Sequence, residues 1–120
     1  MTNTGYDRLK NQVAIAAMAH VNGGSYANDF AIGSRDPYMR SKAVMGRHAT
    51  QEHLKAGLFD TDFNVKDAAS KHKGLTFETA KFFTDNDHTP LNNGLVYNNF
   101  RKHPVIGKQI SKYLDQKGIK

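Results

Sequence analysis

The sequence predicts an all-α fold: a single small domain over residues 1–120, built from about five to six short helices. Three observations carry this expectation. Cap residues recur along the chain, with Thr, Asp, Asn or Pro before helix-like runs and Gly after them. Between those caps, apolar residues return at three- and four-residue spacing. Strand signals are poor, since Val and Ile together number 11 in 120 residues and no run alternates cleanly between apolar and polar.

Taken in order, the first helix is expected over Tyr6 to Val21, with Leu9, Val13, Ala16, Ala17 and His20 near one face. Asn22 to Gly24 stops it, because Asn and Gly tolerate the left-handed conformation of a helix end. Residues 22–35 carry turn chemistry and read as a loop with at most a short turn. Asp36 then caps a helix with Pro37 in its first position, running to about Gly46. Thr50 caps a further piece holding Leu54 and Leu58, which is either separate or the second half of one kinked helix. Asn64 is the expected cap of the next helix, ended by Gly74. Thr76 caps another, in which Phe77, Ala80 and Phe83 share a side. Thr89 and Pro90 open a weaker helix that contains Gly94 and four asparagines. The last helix starts at Pro104, carries the stripe Ile106, Ile110, Tyr113, Leu114, and ends at Gly118.

Composition narrows the class. Hydrophobic residues make up 38% of the chain, and 12 of them are alanine. The core is therefore thin for one domain, and a partner or self-association is expected to support it. Cysteine is absent, which excludes a disulfide framework and thiolate metal ligands and fits a reducing compartment. The apolar stretch around Val13 to Val21 is too short to cross a bilayer, and no secretory signal is seen. A cytoplasmic or virion location is expected, with no membrane span.

Charge points to partners. The formal net charge is +6, from 17 basic and 11 acidic residues, which favours acidic surfaces and nucleic acid. Two basic groups stand out. Arg35, Arg40, Lys42 and Arg47 flank the helix after Asp36. Arg101, Lys102, Lys108, Lys112, Lys117 and Lys120 mark residues 101–120, against Asp115 alone. Tyr97, Phe100 and Tyr113 are interleaved with the second group and could stack on bases; the alternative is a solvated amphipathic helix with its aromatics in the core. The expected contact residues are Arg101, Lys102, Lys108, Lys112, Tyr113 and Lys117.

One segment concentrates metal-binding residue types. Residues 84–104 hold Asp85, Asp87, His88, His103 and five asparagines. The string Asp87-His88, followed by Asn98 and then His103, resembles a shortened HNH nuclease signature. The resemblance implies a divalent metal held by Asp87 and His103, with His88 as the base and Asn98 orienting it. A metal and a base suffice for phosphodiester hydrolysis. Ten positions separate His88 from Asn98 and five separate Asn98 from His103, which departs from the room that family needs for a hairpin and a helix. The competing reading is a polar connector in which Asp85 to Asp87 end one helix and Thr89 caps the next.

Other constellations are poorer. Asp60, Asp62 and Asn64 match the opening of an EF-hand loop, but Val65 replaces its glycine and Lys71 its glutamate; an Asx turn capping the next helix is the plainer reading. His48 and His53 are five apart and do not share a helix face. No activated-serine motif, phosphate loop or carboxylate pair is present. The leading expectation is a non-enzymatic interaction protein, a component or accessory subunit of a larger assembly of virion or effector type. It would bind a protein partner or a second copy of itself through its C-terminal helix, with no cofactor. The alternatives are a nucleic-acid-binding module and a small metal-dependent nuclease.

Overall fold

A computed structural model of the chain describes residues 26–120, with side chains from Asn28 onward. The helix expected over Tyr6 to Val21 lies outside the described residues. Within them the structure is all-α, with no strand. The helices are α1 (Tyr26–Ile32), α2 (Pro37–Met45), α3 (Gln51–Leu58), α4 (Phe63–Lys71), α5 (Phe77–Asn86), α6 (Gly94–Arg101) and α7 (Gly107–Lys117). A 3-10 turn, Pro90–Asn93, precedes α6.

Local chemistry explains most of the boundaries. Asp36 Oδ1 accepts the Tyr38 amide at 3.0 Å, with Pro37 opening α2. Thr50 and His53 form a reciprocal cap on α3: the Thr50 hydroxyl accepts the His53 amide, and His53 Nδ1 accepts the Thr50 amide. Thr76 caps α5 through the Thr79 amide. Gly118 ends α7 at φ 76°, a left-handed conformation that costs glycine little.

Several expectations are corrected. Residues 22–35 contain α1 rather than only a loop. Of the two readings left open for the segments after Asp36 and after Thr50, the separate one holds: they are two helices, α2 and α3, with residues 46–50 between them. The cap of α4 is Asp62, not Asn64: its Oδ1 accepts the amides of both Asn64 and Val65. Thr89 makes no side-chain cap; its own amide donates to Asp87 Oδ1 at 2.9 Å. The final helix begins at Gly107 rather than Pro104, because His103 Nδ1 accepts the amides of Val105 and Ile106 and holds that stretch as a turn.

Helix α4 lies against α2, α3 and α6; α1 covers α2 and α3; α7 closes on α5 and α6. The core runs through Val44, Leu54, Leu58, Val65, Ala69, Phe83, Val96, Phe100, Ile110 and Leu114, all essentially inaccessible to solvent. Phe83, Tyr97 and Phe100 form a triangle of rings with centroids 5.8–6.0 Å apart, a separation favourable to edge contacts. Where α2, α3 and α4 meet, Gly57 admits the closest approach: a Cβ there would stand 2.8 Å from Val44 Cγ1 and 2.9 Å from Ala69 Cβ.

Arg40 does not belong to an open basic surface. Its guanidinium is buried and grips Asp60 with two hydrogen bonds, Nε to Oδ2 at 2.7 Å and Nη2 to Oδ1 at 3.2 Å. Its Nη1 donates to the carbonyls of Ser34 and Arg35. Asp60 and Asp62, the acids of the EF-hand-like string, are thus an ion-pair partner and a helix cap. Asp62 also donates its amide to Asp60 Oδ1 at 2.8 Å. Among the described residues, no helix is long and apolar enough to cross a membrane.

Candidate functional site

Helix α7 shows how one amphipathic stretch acquires two unlike flanks. Ile106, Ile110 and Leu114 repeat every four residues and are buried against the core. Tyr113, next to that stripe, is half-buried and turned towards α5. Its ring meets Phe77 edge-on at 6.0 Å, and its hydroxyl donates to Asp85 Oδ1. Lys81 and Lys117 lie over the same ring at 5.3 and 5.7 Å and reach Asp85 at 3.0 and 3.5 Å. The Tyr113 hydroxyl, followed by the Lys81 ammonium, holds the Asp85 carboxyl below the usual carboxylate range, despite an opposing contribution from burial. Hydrogen bonding to Asp85 in turn raises Lys81. This flank is internally paired, its two lysines sharing the one carboxylate of Asp85.

The opposite flank is not. Lys108 and Lys112 are exposed one turn apart and form no ion pair among the described residues. With Arg101, Gly107, Ser111 and Asp115 they line a shallow cavity of about 670 Å³. Arg101 is held in place: Nη2 meets Asp115 Oδ1 at 3.0 Å and donates to the Ile119 carbonyl at 2.5 Å. Lys102, exposed at the end of α6, adds a further cation beside the turn into α7. So of the six contact residues expected from sequence, Arg101, Lys108 and Lys112 share one basin with Lys102 near it. Tyr113 and Lys117 face the other way.

The four residues of the HNH-like string have different surroundings. Asp87 Oδ1 accepts from the Thr89 amide at 2.9 Å and from Asn93 Nδ2 at 3.0 Å, and Oδ2 accepts from the Tyr97 hydroxyl at 2.6 Å. Burial pushes its carboxyl up, but these donors outweigh it and leave the group below the usual range. The Tyr97 hydroxyl is pushed far up by burial and then by Asp87. His103 is buried; Nδ1 accepts two backbone amides, and Nε2 donates to the His72 carbonyl at 2.6 Å. Both ring nitrogens are therefore occupied, as are both oxygens of Asp87. His88 and Asn98 are exposed. Among the described residues no group of three or more His, Cys, Asp or Glu is placed to hold a metal ion. The segment connects α5 to α7 through hydrogen bonds that begin and end within the fold.

Two features escaped the sequence. The first is a buried pair, Asp29 with His53. His53 Nε2 meets Asp29 Oδ1 at 2.6 Å while Nδ1 accepts the Thr50 amide, so the imidazole fastens α1 to α3. A 24-residue separation leaves no local pattern to read. The second is another cation-rich basin, of about 680 Å³, at the ends of α2 and α4, lined by Met45, Arg47, Lys71, His72 and Lys73 together with Asp67, the partner of Lys71. The Lys71-His72-Lys73 run beside a helix end was its visible signal. Compared with known protein families, with curated proteins and with solved structures, the chain matches none.

Proposed function

We propose that the protein is a non-catalytic interaction protein, a component or accessory subunit of a larger assembly, which binds an acidic partner through the Lys108/Lys112 flank of α7. One observation carries this reading: on a helix whose other flank pairs its charges internally, these two lysines stay exposed and unpaired beside a basin. Solvated cations that form no ion pair attract acidic surfaces over a Debye length and gain when a partner supplies the pairing charge. Tyr113 is not the anchor in this reading, because its hydroxyl and ring are already engaged by Asp85 and Phe77.

The test is binding to labelled polyanions, a poly-glutamate peptide and a short duplex DNA, followed by fluorescence anisotropy at low salt. Wild type should bind at least one of them. Lys108→Gln/Lys112→Gln should weaken that binding at least about tenfold, the scale expected for loss of two anion contacts. A wild-type protein that binds neither probe, or a double variant that binds like wild type, would refute the proposal.

A further inference from the structure

We infer that the acidic partner is a nucleic-acid phosphate backbone, and that its site continues past α7 to the second basin, where Arg47 and Lys73 complete it. The inference rests on the reading of α7 as the contact element and extends it. The structural link is the hydrogen bond from His103 Nε2 to the His72 carbonyl, at 2.6 Å. It joins the α6–α7 turn to the end of α4. The chain neighbours of these two histidines, Lys102 on one side and Lys71 and Lys73 on the other, are all exposed. His72 carries the connection further: Nδ1 accepts the Gly74 amide at 2.9 Å and Nε2 donates to the Gly46 carbonyl at 2.8 Å, which sets Arg47 beside the same loop. Loops that carry cations of both basins are thereby tied together through one buried and one half-buried imidazole.

The chemistry of this track fits phosphates better than a protein surface. Lys73, Lys102, Lys108 and Lys112 make no ion pair among the described residues, whereas Lys71 is paired with Asp67 at 3.1 Å. Besides its cations the basin is lined by Gly107, Ser111, Gln116 and Asp115, the last paired with Arg101, with no aromatic group to serve as a buried anchor. Protein interfaces depend on such anchors and are depleted in lysine. Nucleic-acid interfaces are far more cationic. Lys108 and Lys112 are about 6 Å apart along the helix axis, and a duplex strand presents a phosphate about every 3.4 Å of its own axis, so the two can engage phosphates about two steps apart. With no aromatic side chain free on the track to stack on a base, recognition is independent of sequence.

The experiment is anisotropy titration of labelled mixed-sequence duplex DNA between about 50 and about 200 mM salt. Five unengaged or solvent-facing cations, Arg47, Lys73, Lys102, Lys108 and Lys112, predict a slope of log affinity against log salt of about −4 to −5. Arg47→Gln/Lys73→Gln should flatten that slope by about two units, and Lys108→Gln/Lys112→Gln by a similar amount. All four side chains are exposed, and an unchanged melting temperature confirms that each variant is folded. An unaffected Arg47/Lys73 variant beside a weakened Lys108/Lys112 variant overturns the extended track and leaves the α7 reading standing. A poly-glutamate peptide of equal charge that binds more tightly than the duplex overturns the nucleic-acid assignment and makes the partner an acidic protein. Absence of binding to both probes overturns this inference together with the proposed function. A single-stranded oligonucleotide bound with a shallower slope, about −0.7 per phosphate, supports backbone recognition.

Discussion

Gly57→Ala should destabilise the protein, although glycine to alanine inside a helix ordinarily helps. Alanine in a helix interior is favoured by about 1 kcal/mol. Against this stands the meeting point of three helices, where the new methyl would lie 2.8 Å from Val44 Cγ1 and 2.9 Å from Ala69 Cβ. Both neighbours are fully buried, and neither is the free end of a flexible chain. Relief therefore requires α2 and α4 to move apart. Overpacking of a close-packed core costs about 1–3 kcal/mol, so the net loss should be up to about 2 kcal/mol, and about 1–3 kcal/mol relative to a helical glycine whose alanine meets no neighbour. For a domain of this size that lowers the melting temperature by up to about 10 °C. The assay is urea denaturation with thermal melting, using Gly94→Ala as the control. Gly94 is helical, and a Cβ there meets nothing within 4 Å, so that variant should be neutral or slightly stabilised. Adding Val44→Ala to Gly57→Ala removes the Cγ1 contact but leaves Ala69, so the double variant should show favourable coupling between the two sites. Gly57→Ala as stable as the Gly94 control would refute the close approach of α2, α3 and α4.

Asp87→Asn should cost about 1–3 kcal/mol at neutral pH by weakening charge-assisted bonds from Tyr97, Asn93 and the Thr89 amide. Because the folded Asp87 carboxyl lies below its unfolded value of about 3.9, its stabilisation is complete above that value and disappears as pH falls through the folded one. The variant should accordingly show a flatter acid limb in a stability–pH profile, and an unchanged limb would count against this role. Arg40→Ala should lose about 3–5 kcal/mol by stranding the buried Asp60 carboxylate; a loss below about 1 kcal/mol in urea melts, the size of an exposed pair, would contradict the burial. Tyr113→Phe should cost about 1 kcal/mol by deleting the hydroxyl bond to Asp85, yet leave duplex affinity unchanged in the titration above. A marked loss of affinity would return Tyr113 to the contact surface.

What could be read in advance was what is local. Asp36-Pro37, Thr50, Thr76 and Gly118 act through residues two to four positions away, and each bounds a helix as expected. The cap of α4 was misplaced by two residues because Asp62 and Asn64 are both competent, and only the backbone geometry decides between them. The start of α7 was missed because His103 supplies the turn chemistry that Pro104 seemed to announce. Helix α1 was hidden by the glycine-rich turn signals around it, with little apolar periodicity in only seven residues. The lysines of the candidate site were visible, but their division between two flanks was not. That division depends on Asp85, which is 28 residues from Tyr113, and on the packing of α5 against α7. The Arg40–Asp60 pair likewise spans 20 residues, beyond the reach of any helical periodicity.

The order in which helices pack has a kinetic consequence. Every major helix-to-helix contact among the described residues joins elements one or two places apart in the chain: α1 with α2 and α3, α2 with α3 and α4, α3 with α4 and α5, α4 with α6, α5 with α7, α6 with α7. Each newly formed helix finds its docking surface in the stretch just before it, so the search closes short loops and little chain entropy is spent before contacts form. Such a topology folds in microseconds to milliseconds rather than seconds. Because its major contacts are with α5 and α6 alone, α7 should open at lower free energy than the α2–α4 centre. Amide hydrogen exchange should reveal this as a gradient of protection that falls from α4 towards α7.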